Sequence, residues 1–294
     1  MTCDKAAKLP SKIAAWTPVT HVSNVTSQKK RVRLHGLPYI LWKNPETMTP
    51  LYIADECPHR GASLSLGNVC GDRVRCKYHG ASYTGQRALT FDDIVYIETG
   101  TSGETFPVVK WEMECKKLRV HTYERTLRDC NPIFMLENTI DHMHLHNVHA
   151  FSVVDDIPDV DVINDNTAVY TYKMTDRRVL EVENQFSAPW HTSLRFSIDG
   201  EFIFSLHTHF SPVSKTETKC IIQVFRQDIF GKFGDLCTEL FNELPIVEDT
   251  RIVASIPKSR NWQDDNLTLD DTMVALYRKA MIDNHIDLVK MYAV

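Results

Sequence analysis

Two short units hold the residues best suited to chemistry. Cys57-Pro58-His59-Arg60-Gly61 and Cys76-Lys77-Tyr78-His79-Gly80 each place a thiol beside an imidazole and close with a glycine. Two thiolates and two imidazoles fit a tetrahedral zinc ion. They also fit a two-iron, two-sulfide cluster with the cysteines on one iron and the histidines on the other. Zinc pairs are normally spaced by two to four residues, so Cys57-x-His59 is tight for zinc. Tight pairing suits the cluster, because each loop tip must feed both irons. Gly61 and Gly80 let the backbone turn closely enough for N–H groups to point at the sulfurs, and Pro58 stiffens the first loop. Cys70 lies between the units and reads as a bystander, since nothing near it repeats the pairing.

A second constellation lies in MLENTIDHMHLHNVHAF, where Asp141-x2-His144-x4-His149 is interleaved with His142 and His146. On one continuous helix His142 and His146 share a face and make the better clamp. His144 and His149 lie about 140° apart on such a helix and converge only where it ends, bulges or bends. Spacing alone leaves both pairs open, beside a solvated histidine-rich helix.

The elements that must position these residues fall into two groups. Strand patterns occupy 31–35, 38–43, 50–55, 91–98 and 106–114, separated by Gly36 and the turn at 44–47, which indicates a small all-β domain. A helix is expected from Asn131 through His146. Strands return over 168–173, 179–186, 194–198, 201–210 and 220–227. The remainder reads as three helices: KFGDLCTELFNEL, VEDTRIVASI and LDDTMVALYRKAM. The expected class is α+β, with a first domain over 1–120 and a second over 121–294.

Bulk properties exclude several functions. A hydrophobic fraction of 43%, a charged fraction of 24% and a net charge of −5 describe a globular chain without a basic footprint for nucleic acid. No apolar run is long enough for a bilayer. The opening MTCDKAAKLPSKIAAW lacks the continuous apolar stretch of a signal peptide. The eight cysteines are irregularly spaced, so most are expected to be free thiols in the cytoplasm or an equivalent reducing space.

CPHRGASLSLG followed by CKYHG resembles the cluster-binding loops of Rieske-type non-haem iron oxygenases, with Lys77 in place of the usual proline and Ala81 in place of tryptophan. Cytochrome bc-type Rieske proteins are less similar, because they carry an extra cysteine after each pair. Glu137-Asn138-x2-Asp141-x2-His144-x4-His149 is similar to the second signature of the same oxygenases. The resemblance implies a [2Fe-2S] cluster on Cys57, His59, Cys76 and His79. It implies a mononuclear Fe(II) on His144, His149 and a late carboxylate. Asp249 in LPIVEDTRIVASIP is that carboxylate, with Glu248 as the near alternative. His142 and His146 are then surface residues or lie behind the ligands.

The first domain is accordingly the expected Rieske domain and the second a catalytic domain, an antiparallel sheet flanked by helices. The resemblance further implies a head-to-tail homotrimer in which Asp141 acts catalytically, linking His79 of one subunit to His144 of the next. It implies electrons from NAD(P)H through a separate reductase or ferredoxin. The implied reaction uses O2 to hydroxylate or demethylate a small cyclic or aromatic molecule, as in single-component aromatic O-demethylases and monooxygenases. No nucleic acid or membrane is expected as a partner. Phe186, Trp190, Phe196, Phe202, Phe204 and Phe210 stand in the strands that would wall the pocket, but none is assigned to substrate. Two alternatives from other classes are a Rieske electron-transfer protein with a non-catalytic ligand-binding C-terminal domain, and a zinc-stabilised binding protein.

Overall fold

The computed structural model describes residues 16–99, 118–149, 158–174, 176–260 and 265–283. The chain divides into two compact units, Met1–Phe106 with Ser211–Ser214, and Pro107–Phe210 with Lys215–Val294.

Among the described residues the first unit is all-β apart from two single 3-10 turns. It contains β1 (Trp16–His21), β2 (Lys30–Leu34), β3 (Leu37–Lys43), β4 (Pro50–Ala54), β5 (Asn68–Cys70), β6 (Arg73–Arg75), β7 (Ser82–Thr84), β8 (Gln86–Arg87), β9 (Leu89–Phe91) and β10 (Ile94–Glu98). They form antiparallel sheets in the orders β1-β10-β9, β2-β3-β4-β8 and β5-β6-β7. The apolar run on β3 follows from burial on both faces. Tyr39 and Leu41 enter one core with Val19, Leu34 and Val95. Ile40 and Trp42 enter another with Leu64, Val74, Cys57 and Cys76. The thiols therefore rest on a packed apolar floor. The strand expected over 91–98 is instead a hairpin between β9 and β10, because Asp92 and Asp93 both take positive φ (44° and 61°) and reverse the chain. The strand expected over 106–114 lies outside the described residues.

The second unit contains β11 (Leu118–Arg128), α1 (Pro132–Ile140), α2 (Leu145–Val148), β12 (Asp159–Asn164), β13 (Thr167–Lys173), β14 (Val179–Ser187), β15 (His191–Ile198), β16 (Glu201–Ser214), β17 (Glu217–Gln227), α3 (Gly231–Ser255) and α4 (Thr272–Asp283). One seven-stranded sheet has the order β11-β17-β16-β15-β14-β13-β12. This is the expected all-β unit followed by an antiparallel sheet with helices. β11 runs through the sequence boundary drawn at residue 120.

Two helical expectations change. The helix from Asn131 stops at Ile140 rather than running through His146, and a separate single turn, α2, follows. The two helices read on either side of Pro245 are one, α3, with Pro245 inside it. Pro245 removes the donor that would bond the Phe241 carbonyl. Phe241 is exposed, so water can satisfy that carbonyl. The opposite side of α3 is fastened to the sheet. Asp235 accepts from Arg119 Nη2 and Arg226 Nη2, each at 2.6 Å, and Glu243 accepts from Arg125 Nε at 2.8 Å. The Arg119 and Arg226 guanidiniums hold the Asp235 carboxyl down at about 2, against burial.

Candidate functional site

The two Cys/His loops are built alike, which their similar sequences explain. Cys57 N–H donates to the Ala62 carbonyl and Gly61 N–H to the Cys57 carbonyl, both at 2.8 Å. Cys76 N–H donates to the Ala81 carbonyl at 2.8 Å and Gly80 N–H to the Cys76 carbonyl at 3.0 Å. Gly61 and Gly80 close these turns at φ 76° and 72°, where a β-carbon is strained. Buried Asp55 braces the first loop, accepting from Arg31 Nε at 2.6 Å and from Ser65 N–H at 2.7 Å.

The four side chains separate by environment. Cys57 and Cys76 are buried, whereas His59 and His79 are exposed with ring centroids 4.7 Å apart. Tyr83 on β7 brings its hydroxyl 3.3 Å from Cys57 Sγ. Burial works to raise the Cys57 thiol, but Tyr83, the His59 and Arg60 N–H groups and Cys76 outweigh it and lower it. A thiol pulled toward thiolate by donors aimed at its sulfur suits a metal-bound sulfur. Tyr83 escaped the sequence analysis because no motif spacing ties it to Cys57; only the β6–β7 pairing brings it there.

The second site forms where α1 ends. Asn131 caps the start of α1, accepting from Ile133 N–H at 2.9 Å, and Pro132 sits at its first turn. His144 and His149 flank α2 on either side. That break lets the two rings meet, with centroids 5.2 Å apart. Asp249 on α3 completes the group. Its Oδ1 is 3.4 Å from His144 Nε2 and 3.5 Å from His149 Nε2. Among the described residues, this trio alone gathers three potential ligand atoms within 4.8 Å of one another.

The far nitrogens of both rings face acceptors. His144 Nδ1 donates to the Asp141 carbonyl, and His149 Nδ1 donates to Glu248 Oε2 at 3.0 Å. A neutral ring that spends its proton on Nδ1 offers a lone pair at Nε2. With both rings neutral, two lone pairs converge on Asp249 Oδ1, a buried oxygen without a hydrogen-bond partner. Such an electron-rich gap fits a cation, and the two-imidazole, one-carboxylate set is that of a facial Fe(II) site. Burial pulls His144 down, but Asp249 and Asp141 outweigh it and raise it. A bound metal displaces that proton.

Of the two carboxylates weighed in the sequence, Asp249 joins the trio and Glu248 binds the outer nitrogen of His149. Asp141 meets His144 through its backbone; its carboxylate accepts from Met143 N–H at 2.9 Å. His142 is not a surface residue. It is buried against the sheet, stacked on Tyr170 at 3.8 Å, accepting from Asn184 Nδ2 at 2.8 Å and reaching the Tyr172 hydroxyl at 3.0 Å. Burial lowers it to about 3, so it is neutral. The side chain of His146 lies outside the described residues. Phe186, Trp190 and Phe210 are core; Phe196 stacks on Phe204 at 4.5 Å, half-buried.

Residues 15–91 match the family described as Rieske [2Fe-2S] domain. The chain carries a Rieske domain. That domain implies a [2Fe-2S] cluster, and the donors of the paired loops fit one. Curated relatives include chlorophyllide a oxygenase of Chlamydomonas reinhardtii, 44% identical over 57 residues, which are 19% of this chain and 9% of that protein. The vanillate O-demethylase oxygenase subunit of Pseudomonas sp. (strain ATCC 19151) is 28% identical over 123 residues, 34% of this chain and 37% of the relative. The matches thus span well under half of these relatives. Beyond that domain, the chain shares its fold with solved structures such as Pseudomonas putida NdmA and dicamba monooxygenase. Pseudomonas putida CBB5 NdmA, as a mutant with caffeine, superposes with a TM-score of 0.74 at 20% identity, covering 92% of this chain and 90% of that one. No described helix is long and apolar enough to cross a membrane.

Proposed function

We propose that the chain is the oxygenase component of a Rieske non-haem iron oxygenase. Its first unit carries the cluster on Cys57, His59, Cys76 and His79. Its second unit holds Fe(II) on His144, His149 and Asp249. The observation that carries this reading is the convergence of His144 Nε2 and His149 Nε2 on the buried Asp249 Oδ1. When bound, the cluster supplies a stored electron and the mononuclear iron supplies dioxygen activation.

The chain's own residues do the positioning. Glu248 and the Asp141 carbonyl hold protons on the outer nitrogens and fix both ring orientations. α3 holds Asp249 rigidly, through Asp235 on Arg119 and Arg226. Glu137 on α1 accepts from Arg278 Nε at 2.7 Å, which ties the start of the iron loop to α4. The Asp141 carboxylate is proposed to link His144 to His79 of the adjacent subunit in a homotrimer.

The reaction we infer is hydroxylation or oxidative demethylation of a small cyclic or aromatic molecule, in the cytoplasm, with electrons from NAD(P)H through a reductase or ferredoxin. The relatives named as demethylases support the reaction class. Dioxygen uptake by the reconstituted protein, with reductant and a panel of small N-methyl and O-methyl aromatics, tests it. Substrate-dependent uptake with formaldehyde release is expected. A cluster that cycles without dioxygen uptake under any of these compounds contradicts it.

A further inference from the structure

We propose that the outward face of α3 is a self-complementary surface that pairs with α3 of a second copy, antiparallel about Leu240. The inference is independent of the metal readings and is a contact different from the head-to-tail one.

A surface helix normally turns its apolar stripe inward and its charges to water. α3 does the reverse. Asp235, Asn242 and Asp249 are buried. Glu239 and Glu243 also turn inward, to His121 and Arg125 on β11. The side left facing outward carries Phe233, Leu236, Leu240, Leu244 and Val247, which are 67%, 52%, 61%, 51% and 38% exposed. Phe241 is exposed beside them. The bonds from Asp235 to Arg119 and Arg226 hold the helix in this orientation, so its apolar side stays out.

The order of the row fits a copy of itself. Leu236 and Leu244 stand four residues on either side of Leu240, and Phe233 and Val247 seven residues on either side. A two-fold axis through Leu240 therefore sets Leu240 on Leu240, Leu236 on Leu244 and Phe233 on Val247, as an isologous contact requires. Leu236, Leu240 and Leu244 also form one i, i+4 row, the ridge by which helices interdigitate. The row is about 21 Å long. Together with Phe241 it exposes on the order of 600 Å² per copy, so a pair removes about 1,200 Å², above the roughly 1,000 Å² of a specific interface. The exposed charges on α3 are Lys232 and Arg251, at its two ends, so the centre of the pair buries none.

The row also lies away from the iron. Leu240 is nine residues from Asp249 and so about 180° round the helix from it. Asp141, through which the head-to-tail contact is proposed to run, belongs to the iron side by way of His144.

The test is the mass of the full chain by light scattering, wild type beside Leu240→Glu/Leu244→Glu. The wild type is expected to hold an even number of chains: six with the head-to-tail trimer, two without it. The variant is expected to halve that mass with an unchanged far-UV circular dichroism spectrum. Leu240→Cys is expected to cross-link into dimers with a short bismaleimide, because a residue on the axis meets its own copy. Ile252→Cys, which stands about 120° off the row, is expected to cross-link no more than wild type. A wild type of one or three chains overturns the pairing; three chains leave the trimer reading standing. A variant of unchanged mass overturns the pairing too, as does a fall from three chains to one, which assigns the row to the head-to-tail contact. A fall from two chains to one supports the pairing and sinks the trimer. Equal cross-linking at both cysteines overturns the axis at Leu240.

Discussion

Glu248 and Asp249 are consecutive residues on α3 that take opposite nitrogens of one imidazole. Glu248 Oε2 lies 3.0 Å from His149 Nδ1, and Asp249 Oδ1 lies 3.5 Å from His149 Nε2. Neighbours on a helix project about 100° apart, so one reaches the outside of the ring and the other the space it shares with His144. The pair therefore has two different tasks, ligand and orienter.

Substitution separates those tasks. Asp249→Ala is expected to lose the mononuclear iron while leaving the cluster's visible spectrum intact. Glu248→Gln is expected to retain iron with affinity weakened about 10–100-fold, the usual effect of losing an outer partner. Iron titration against a chelator measures both. Full iron retention in Asp249→Ala together with loss in a Glu248 variant reverses the assignment.

The Tyr83 hydroxyl lies 3.3 Å from Cys57 Sγ, a proposed cluster ligand, and hydrogen bonds to cluster sulfurs favour the reduced, more negative state. Tyr83→Phe is expected to lower the midpoint potential by about 40–60 mV, corresponding to about 1–1.5 kcal/mol for one electron. Potentiometric titration followed by EPR reads this; a potential equal to wild type contradicts it.

Asp141→Asn keeps an oxygen for the Met143 N–H and leaves the backbone carbonyl used by His144, so both metals are expected to remain. Turnover is expected to fall by most of its value, because the proposed charged link across subunits would be gone. Metal analysis beside dioxygen uptake distinguishes the two effects, and wild-type uptake in this variant sinks the bridge.

The sheet carries three buried histidines with lowered proton affinity. Burial takes His191 well below 6.5, His207 to about 3 and His209 to about 4, with mutual repulsion adding for the first two. The unfolded chain binds protons at these sites near 6.5 while the folded one resists. Stability is therefore whole above pH 6.5 and is lost as pH falls toward about 4, by up to about 1.4 kcal/mol per pH unit for each group. Between pH 6.5 and 5, above the usual carboxylate range, a His207→Gln variant is expected to show a shallower slope in chemical denaturation. An identical slope argues against neutral burial.

What the sequence made legible follows from how locally each feature is encoded. The Cys/His loops and their glycines sit in contiguous units, so ligands and turns could be read together. The two strands of β9 and β10 could not, because Asp92 and Asp93 reverse the chain without a glycine. His144 and His149 were ambiguous by spacing, since convergence depends on α1 ending at Ile140, which tertiary contact decides: Thr139 Oγ1 bonds Thr192 on β15, and His142 is drawn into Tyr170, Tyr172 and Asn184. From the sequence His142 reads as a possible ligand, a surface residue or one behind the ligands; only the sheet reveals it as a core anchor. The two helices read over 232–244 and 247–256 are one, because the fastening of Asp235 and Glu243 holds α3 through Pro245.

The most direct measurement is an iron and acid-labile sulfide count with EPR on anaerobically purified protein. The account predicts about three irons and two sulfides per chain, a rhombic signal after dithionite, and loss of about one iron in His144→Ala with that signal retained. Colourless, EPR-silent protein grown with ample iron, or cluster-loaded protein whose iron content is unaffected by His144→Ala, contradicts it.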